Sequence, residues 1–129
     1  MVEKLGKKTR DVRFYSEKNQ KMMVVHSESK RAYTKYLEGL KEVEAYEVGK
    51  PMDEGRLLSV SHVDIRSDYF KQAWSCDFYI HYVDGTIGIR EIIHPTDLDK
   101  RAEVEKLELS RRYWALLGIS DWKVVILEK

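Results

Sequence analysis

The sequence predicts an α+β (α/β) domain in which helices flank a mixed β-sheet. Three observations carry that expectation: an apolar stripe at helical spacing near the start, alternating runs through the middle that end at an Asp-Gly turn, and a charged helical segment followed by a short apolar run. Residues 22–27, MMVVHS, form a short apolar run, and Ser27 suits an N-cap for a helix over 28–40 whose stripe is Ala32, Tyr33, Tyr36, Leu37 and Leu40. VEAYEV (43–48) alternates like a strand, LLSVSHVDI (57–65) reads as another, and FKQAWSCDFYIHYV (70–83) contains a third that turns at Asp84-Gly85 into TIGIREII. A second helix is expected over about 98–117, with Val104, Leu107, Trp114 and Leu117 on its apolar side and Gly118 as its stop. WKVVILEK closes the chain as a strand that, reached through a helix, should lie parallel to its neighbour.

The composition narrows the function classes. A chain of 129 residues with 43% hydrophobic content suits one compact domain. No basic start joins an apolar run, and no apolar segment reaches membrane-spanning length, so a soluble, cytoplasmic protein without membrane contact is expected. The single Cys76 excludes an internal disulfide framework and a Cys-based zinc site. His26, His62, His81 and His94 show no HxxxH or HxH spacing, and there is no P-loop, dinucleotide fingerprint or nucleophile elbow.

Charge is unevenly placed. Residues 1–21 hold seven basic side chains (Lys4, Lys7, Lys8, Arg10, Arg13, Lys18, Lys21) against three acidic ones (Glu3, Asp11, Glu17), so this segment is +4 and the remainder −3 within a net charge of +1. Residues 1–21 read as a basic arm, and 22–129 as the single domain behind it. Clustered Lys and Arg suit a phosphate backbone, because neutralising phosphates releases counterions; Lys4, Lys7, Lys8, Arg10 and Arg13 are the expected nucleic-acid contacts. A solvated terminus is the alternative reading of the same charges.

Three carboxylates stand out. Alternation puts Asp77, Tyr79 and His81 on one face of their strand, and Glu91 interrupts the apolar face made by Ile87, Ile89 and Ile93. A carboxylate there needs a cation or hydrogen bonds to offset its burial. Glu28 precedes Ala32 and Tyr36 by four and eight positions, at the N-terminal end of the expected stripe, where the helix dipole alone would also favour it. Carboxylates converging from a helix start and two strands would make an all-oxygen site for Mg²⁺ or Mn²⁺.

The runs HSESKRAYTKYLEGLKEVEAYEVGKP, WSCDFYIHYVDGTIGIREI and RRYWALLGISDWKVVI resemble the N-terminal catalytic domain of the TnsA-like endonucleases, the transposon-end-cleaving subunits within the PD-(D/E)XK restriction-endonuclease-like superfamily. The likeness covers roughly 22–128 and implies a restriction-endonuclease-like core, Mg²⁺-dependent hydrolysis of DNA phosphodiesters, and a transposase or phage protein as partner. Carried over by motif, Glu28 is the helix carboxylate, Asp77 the central metal ligand and Glu91 the acid of the second strand. Where that family has Glu/Gln-x-Lys, this chain reads Glu91-Ile92-Ile93, so the catalytic lysine must come from elsewhere: Lys50, Lys71 and Lys106 are the candidates, in that order. The missing lysine also admits an inactive relative that binds DNA or a partner as an assembly subunit. A third reading is a nuclease of branched or junction DNA, working as a homodimer to cut two strands.

Overall fold

A computed structural model describes residues 11–127. The chain begins with a hairpin, β1 (Val12–Ser16) and β2 (Lys21–Val25), in which Phe14, Ser16, Met23 and Val25 point inward while Arg13, Tyr15 and Met22 stay exposed. Lys4, Lys7, Lys8 and Arg10 lie outside the described residues; Arg13 sits on β1. The second half of the expected arm is thus part of the folded domain. The alternation V-R-F-Y-S is the signal for it, hidden by the charges that decorate its outer face.

Helix α1 (Glu28–Glu38) starts as expected, with the Ser27 hydroxyl accepting from Lys30 N–H at 3.1 Å. Its buried face is Tyr33, Thr34 and Leu37; Tyr36 of the expected stripe is exposed. Strand β3 (Val43–Pro51) follows. The strand expected over 57–65 is not formed. Asp53 caps a four-residue helix α2 (Glu54–Leu57), and the backbone then runs irregularly to a 3₁₀ turn at Ser67–Lys71. Leu57, Val60 and Ile65 are buried, which gives the segment its apolar look, but Asp64 adopts φ +64°, outside any strand conformation. Arg112 takes the place of a ladder partner here, donating to the carbonyls of Ser61 at 2.9 Å and Val63 at 2.8 Å.

Strands β4 (Ser75–Tyr82) and β5 (Ile87–Ile93) form the expected hairpin, and Gly85 in its loop adopts φ +89°. A 3₁₀ turn at Pro95–Asp99 leads to α3 (Arg101–Leu116), and Gly118 at φ +84° ends it. Strand β6 (Asp121–Ile126) pairs parallel to β5, as the crossover rule requires. The main sheet has the order β3-β4-β5-β6, with only the last pair parallel. The architecture is α+β.

Two clusters of buried side chains form the core. Tyr33 and Leu37 of α1 pack with Phe14, Val25, Tyr46, Phe78 and Ile80; Leu109, Tyr113 and Trp114 of α3 pack with Ile89, Leu57 and Phe70. Alternation along β4 and β5 thus divides the side chains between the two helices. Gly88 permits one close approach: a Cβ there would lie 2.7 Å from Asp121 Oδ2 and 2.8 Å from the Tyr82 ring. Those groups surround the buried guanidinium of Arg90, which bonds Asp121 Oδ1 at 3.0 Å and the Tyr82 hydroxyl at 3.0 Å. Among the described residues, no helix is long and apolar enough to cross a membrane.

Candidate active site

A fork in the sheet creates the site. The β4–β5 ladder stops at the pair Phe78–Arg90, while β3–β4 continues to Pro51–Ser75 and β5–β6 continues to Ile93–Ile126. Beyond Phe78 the two central strands part, and their backbone donors turn to side chains. Asp77 N–H donates to Glu91 Oε1 at 3.1 Å, and Ile92 N–H donates to Asp77 Oδ2 at 2.7 Å. Each acid therefore completes the other strand's backbone, which keeps buried N–H groups satisfied where the ladder ends.

Two helices supply the remaining walls. Lys30, in the first turn of α1, places its ammonium 3.0 Å from Asp77 Oδ1. Ser110 of α3 donates its hydroxyl to Glu91 Oε2 at 2.5 Å and accepts from Trp122 Nε1 at 3.0 Å. Together Lys30, Asp77, Glu91, Lys106 and Ser110 line a cavity of about 250 Å³, with Trp74 and Met52 at its side. Lys106 lies 3.5 Å from Glu103 Oε2 and 5.6 Å from the centre of the Trp74 ring.

Electrostatics separates the two acids. Glu91 is only 8% exposed, and that burial, with the negative charge of Asp77 beside it, pushes its pKa up to about 7 against the pull of Ser110, the Asp77 N–H and Lys30. The Cys76 thiol next to Asp77 is wholly buried and pushed far up by burial, so it is an inert packing group.

Of the residues expected from sequence, Asp77 and Glu91 are brought together and Glu28 is not. Glu28, at the start of α1, is absent from the cavity's lining, and among the described residues no group of three or more His, Cys, Asp or Glu side chains is placed to hold a metal ion. The reason is a rotation of the helix face: burial of Tyr33, Thr34 and Leu37 turns Lys30, three, four and seven positions earlier, toward the sheet, and leaves Glu28 on the other side with Tyr36. The spacing Lys30-Tyr33-Thr34-Leu37 is the signal that points to this lysine. Lys50 instead points along the sheet, 3.4 Å from Glu47 Oε1 and 4.9 Å from the centre of the Tyr79 ring, and Lys71 is exposed on its 3₁₀ turn. His81 bonds Glu47 at 2.9 Å, and His94 caps the 3₁₀ turn after β5.

Two carboxylates still suit a hard dication. Mg²⁺ is commonly held by one or two carboxylates plus waters and substrate phosphates, and two like charges sharing a buried site, one with a raised pKa, are what such an ion relieves. A larger cavity of about 720 Å³ lies between α1 and β6, but two of its ionic groups, Arg90 and Asp121, are already paired to each other. The smaller cavity holds the carboxylate pair, Asp77 and Glu91.

Fold and site thus define an α+β domain with a lysine-flanked pair of carboxylates at a strand fork. No family model matches this chain, and no curated protein matches it.

Proposed function

We propose that the chain is a metal-dependent DNA endonuclease hydrolysing phosphodiester bonds, with Asp77 and Glu91 as the residues that would hold Mg²⁺ or Mn²⁺. The observation that carries this reading is the meeting of Asp77, Glu91 and Lys30 in one cavity, with the Lys30 ammonium 3.0 Å from Asp77. The likeness of residues 22–128 to TnsA-like nucleases supports it, and Lys30 supplies the cation missing at Ile93. When bound, the ion would activate a water and offset charge at the scissile phosphate. Lys30, whose ammonium pairs with Asp77 Oδ1, would stand beside that charge, and Ser110 and the Asp77 N–H fix the Glu91 carboxylate. Glu91 must shed its proton to act as a ligand, so ion binding should strengthen as pH rises through neutrality.

The test is nicking of supercoiled plasmid in Mg²⁺ or Mn²⁺. Wild type should cleave, and Asp77→Asn and Lys30→Met should each lower the rate by a factor on the order of 100. Equal residual nicking by wild type and Asp77→Asn would sink the proposal.

One observation favours a second reading, a nuclease-fold subunit that binds DNA or a partner without cutting. All four carboxylate oxygens already have a protein partner: Lys30 and Ile92 N–H for Asp77, Asp77 N–H and Ser110 for Glu91. A closed network of that kind is also how a polar core is satisfied structurally. That reading predicts no cleavage in either metal and no thermal stabilisation by Mg²⁺.

A further inference from the structure

We infer that the cleft beside the acid cavity is a binding groove for a single nucleic-acid strand, with Lys50 and Tyr79 as its phosphate and base contacts; this rests on the nuclease reading. Met52 lines both the acid cavity and a second cavity of about 690 Å³, so the two abut across its side chain. The charged and aromatic groups that line the second cavity include Lys50, Tyr79 and Trp114 and, at α2, Arg56 together with the carboxylates of Asp53 and Glu54; Asp53 is engaged as the helix cap, accepting from Arg56 N–H at 2.9 Å. A space of that size takes a small-molecule-sized group such as a nucleotide rather than a base-paired helix.

The chemistry of the groove fits a strand. Lys50 covers the Tyr79 ring at 4.9 Å, and its ionic partner, Glu47, is 3.4 Å away with both side chains more than a third exposed. A pair so exposed and so long is cheaply exchanged. Glu47 keeps a closer partner in His81 at 2.9 Å. Swinging Lys50 outward would bare the Tyr79 face for a base and bring the ammonium to the adjoining phosphate in one movement, the pairing of stacking platform and cation that single-strand binders use. Trp114 backs the Tyr79 ring at 5.6 Å between centres and holds it in place. Lys50 thus acts in binding the strand, one cavity away from the acids. Lys30 is the lysine beside Asp77.

The experiment measures binding of a fluorescent oligothymidine to the full chain carrying Asp77→Asn, across a salt series, so that cleavage plays no part. Tyr79→Ala should weaken binding roughly tenfold or more while Tyr79→Phe binds as its parent, and Lys50→Gln should lower the salt slope by roughly 0.7, the value for one phosphate on a single strand. Tyr36→Ala, on α1 and outside the groove, is the control, and unchanged melting temperatures show that each variant folds. Absence of binding, indifference to Tyr79→Ala and Lys50→Gln, or an equal loss in Tyr36→Ala overturns the groove. If binding behaves as expected but wild type never cuts in Mg²⁺ or Mn²⁺, the nuclease reading fails and the groove stands. Asp77-dependent cutting with binding indifferent to Lys50 and Tyr79 overturns the groove and leaves the nuclease reading in place.

Discussion

Glu91 shows how one residue couples stability to the chemistry of the site. Its folded pKa, about 7, lies above the ordinary carboxylate value of 4.5, so the folded chain binds this proton more tightly than the unfolded chain does. The associated stability is fully present below about pH 4.5 and is lost as pH rises through about 7, a change of at most about 3 kcal/mol. Wild type should therefore lose melting temperature across that window more steeply than Glu91→Gln, as calorimetry at several pH values would show; parallel curves would contradict the assignment. Adding Mg²⁺ should restore more stability at pH 8 than at pH 5 if the ion binds here. Asp77 stands out by its place in the hairpin and by the family motif, and Glu91 is legible in the sequence because an acid on an apolar strand face must be compensated. The compensating lysine is not, since a helix whose two sides both carry aromatic residues, Tyr33 and Tyr36, does not declare by composition which side turns inward.

At the level of elements, α3 conceals its function behind polarity. The expected face of Val104, Leu107, Trp114 and Leu117 is only partly inward; the buried residues are Glu105, Leu109, Ser110, Tyr113 and Trp114, and Val104 is exposed. Glu105 and Ser110 break the apolar stripe because each answers a distant group. Glu105 accepts from the Arg66 guanidinium and backbone and from Arg101, bonds that hold its carboxyl far down, at about 2, and pin the irregular 58–66 segment. Ser110 joins Glu91 to Trp122 of β6. Ser110→Ala should cost about 1–3 kcal/mol in a urea melt, because it leaves a buried carboxylate oxygen and an indole N–H without partners. Glu91→Gln should reduce that penalty, and a double-mutant cycle showing no coupling would argue that the two side chains are not linked. The hairpin and the parallel last strand are readable from alternation and topology alone. The strand expected over 57–65 is not, because buried Leu57, Val60 and Ile65 mimic a strand that Asp64 interrupts.

For the whole molecule, the two core clusters divide responsibility. The α1 cluster ties the first hairpin to the sheet, with Glu38 accepting from Ser16 Oγ at 2.6 Å and from the Tyr46 hydroxyl at 2.6 Å. The α3 cluster anchors the irregular segment after β3. The candidate site lies where both helices reach the sheet, so it needs residues from α1, the central hairpin and α3 at once. Sequence patterning locates the hairpin contribution and the two helices; the mutual rotation of the helices, which selects Lys30 and Ser110, is a tertiary outcome no single segment encodes.

The fork also bears on the order of assembly. Asp77 and Glu91 meet through a hairpin that closes locally, whereas Lys30 and Ser110 arrive over longer stretches of chain, which cost more conformational entropy to close. A folding chain that pairs β4 with β5 first would bring two acids together before either neutralising partner is present. Before burial raises its pKa, the Glu91 carboxyl ionises near its ordinary 4.5 and the encounter is repulsive above that pH, so wild type should refold more slowly at pH 6 than at pH 4, and Glu91→Gln should reduce the difference in stopped-flow refolding. Equal pH dependence in the two proteins would place docking of the helices before closure of the hairpin. The placement of the acids then becomes a kinetic toll, collected each time the chain folds.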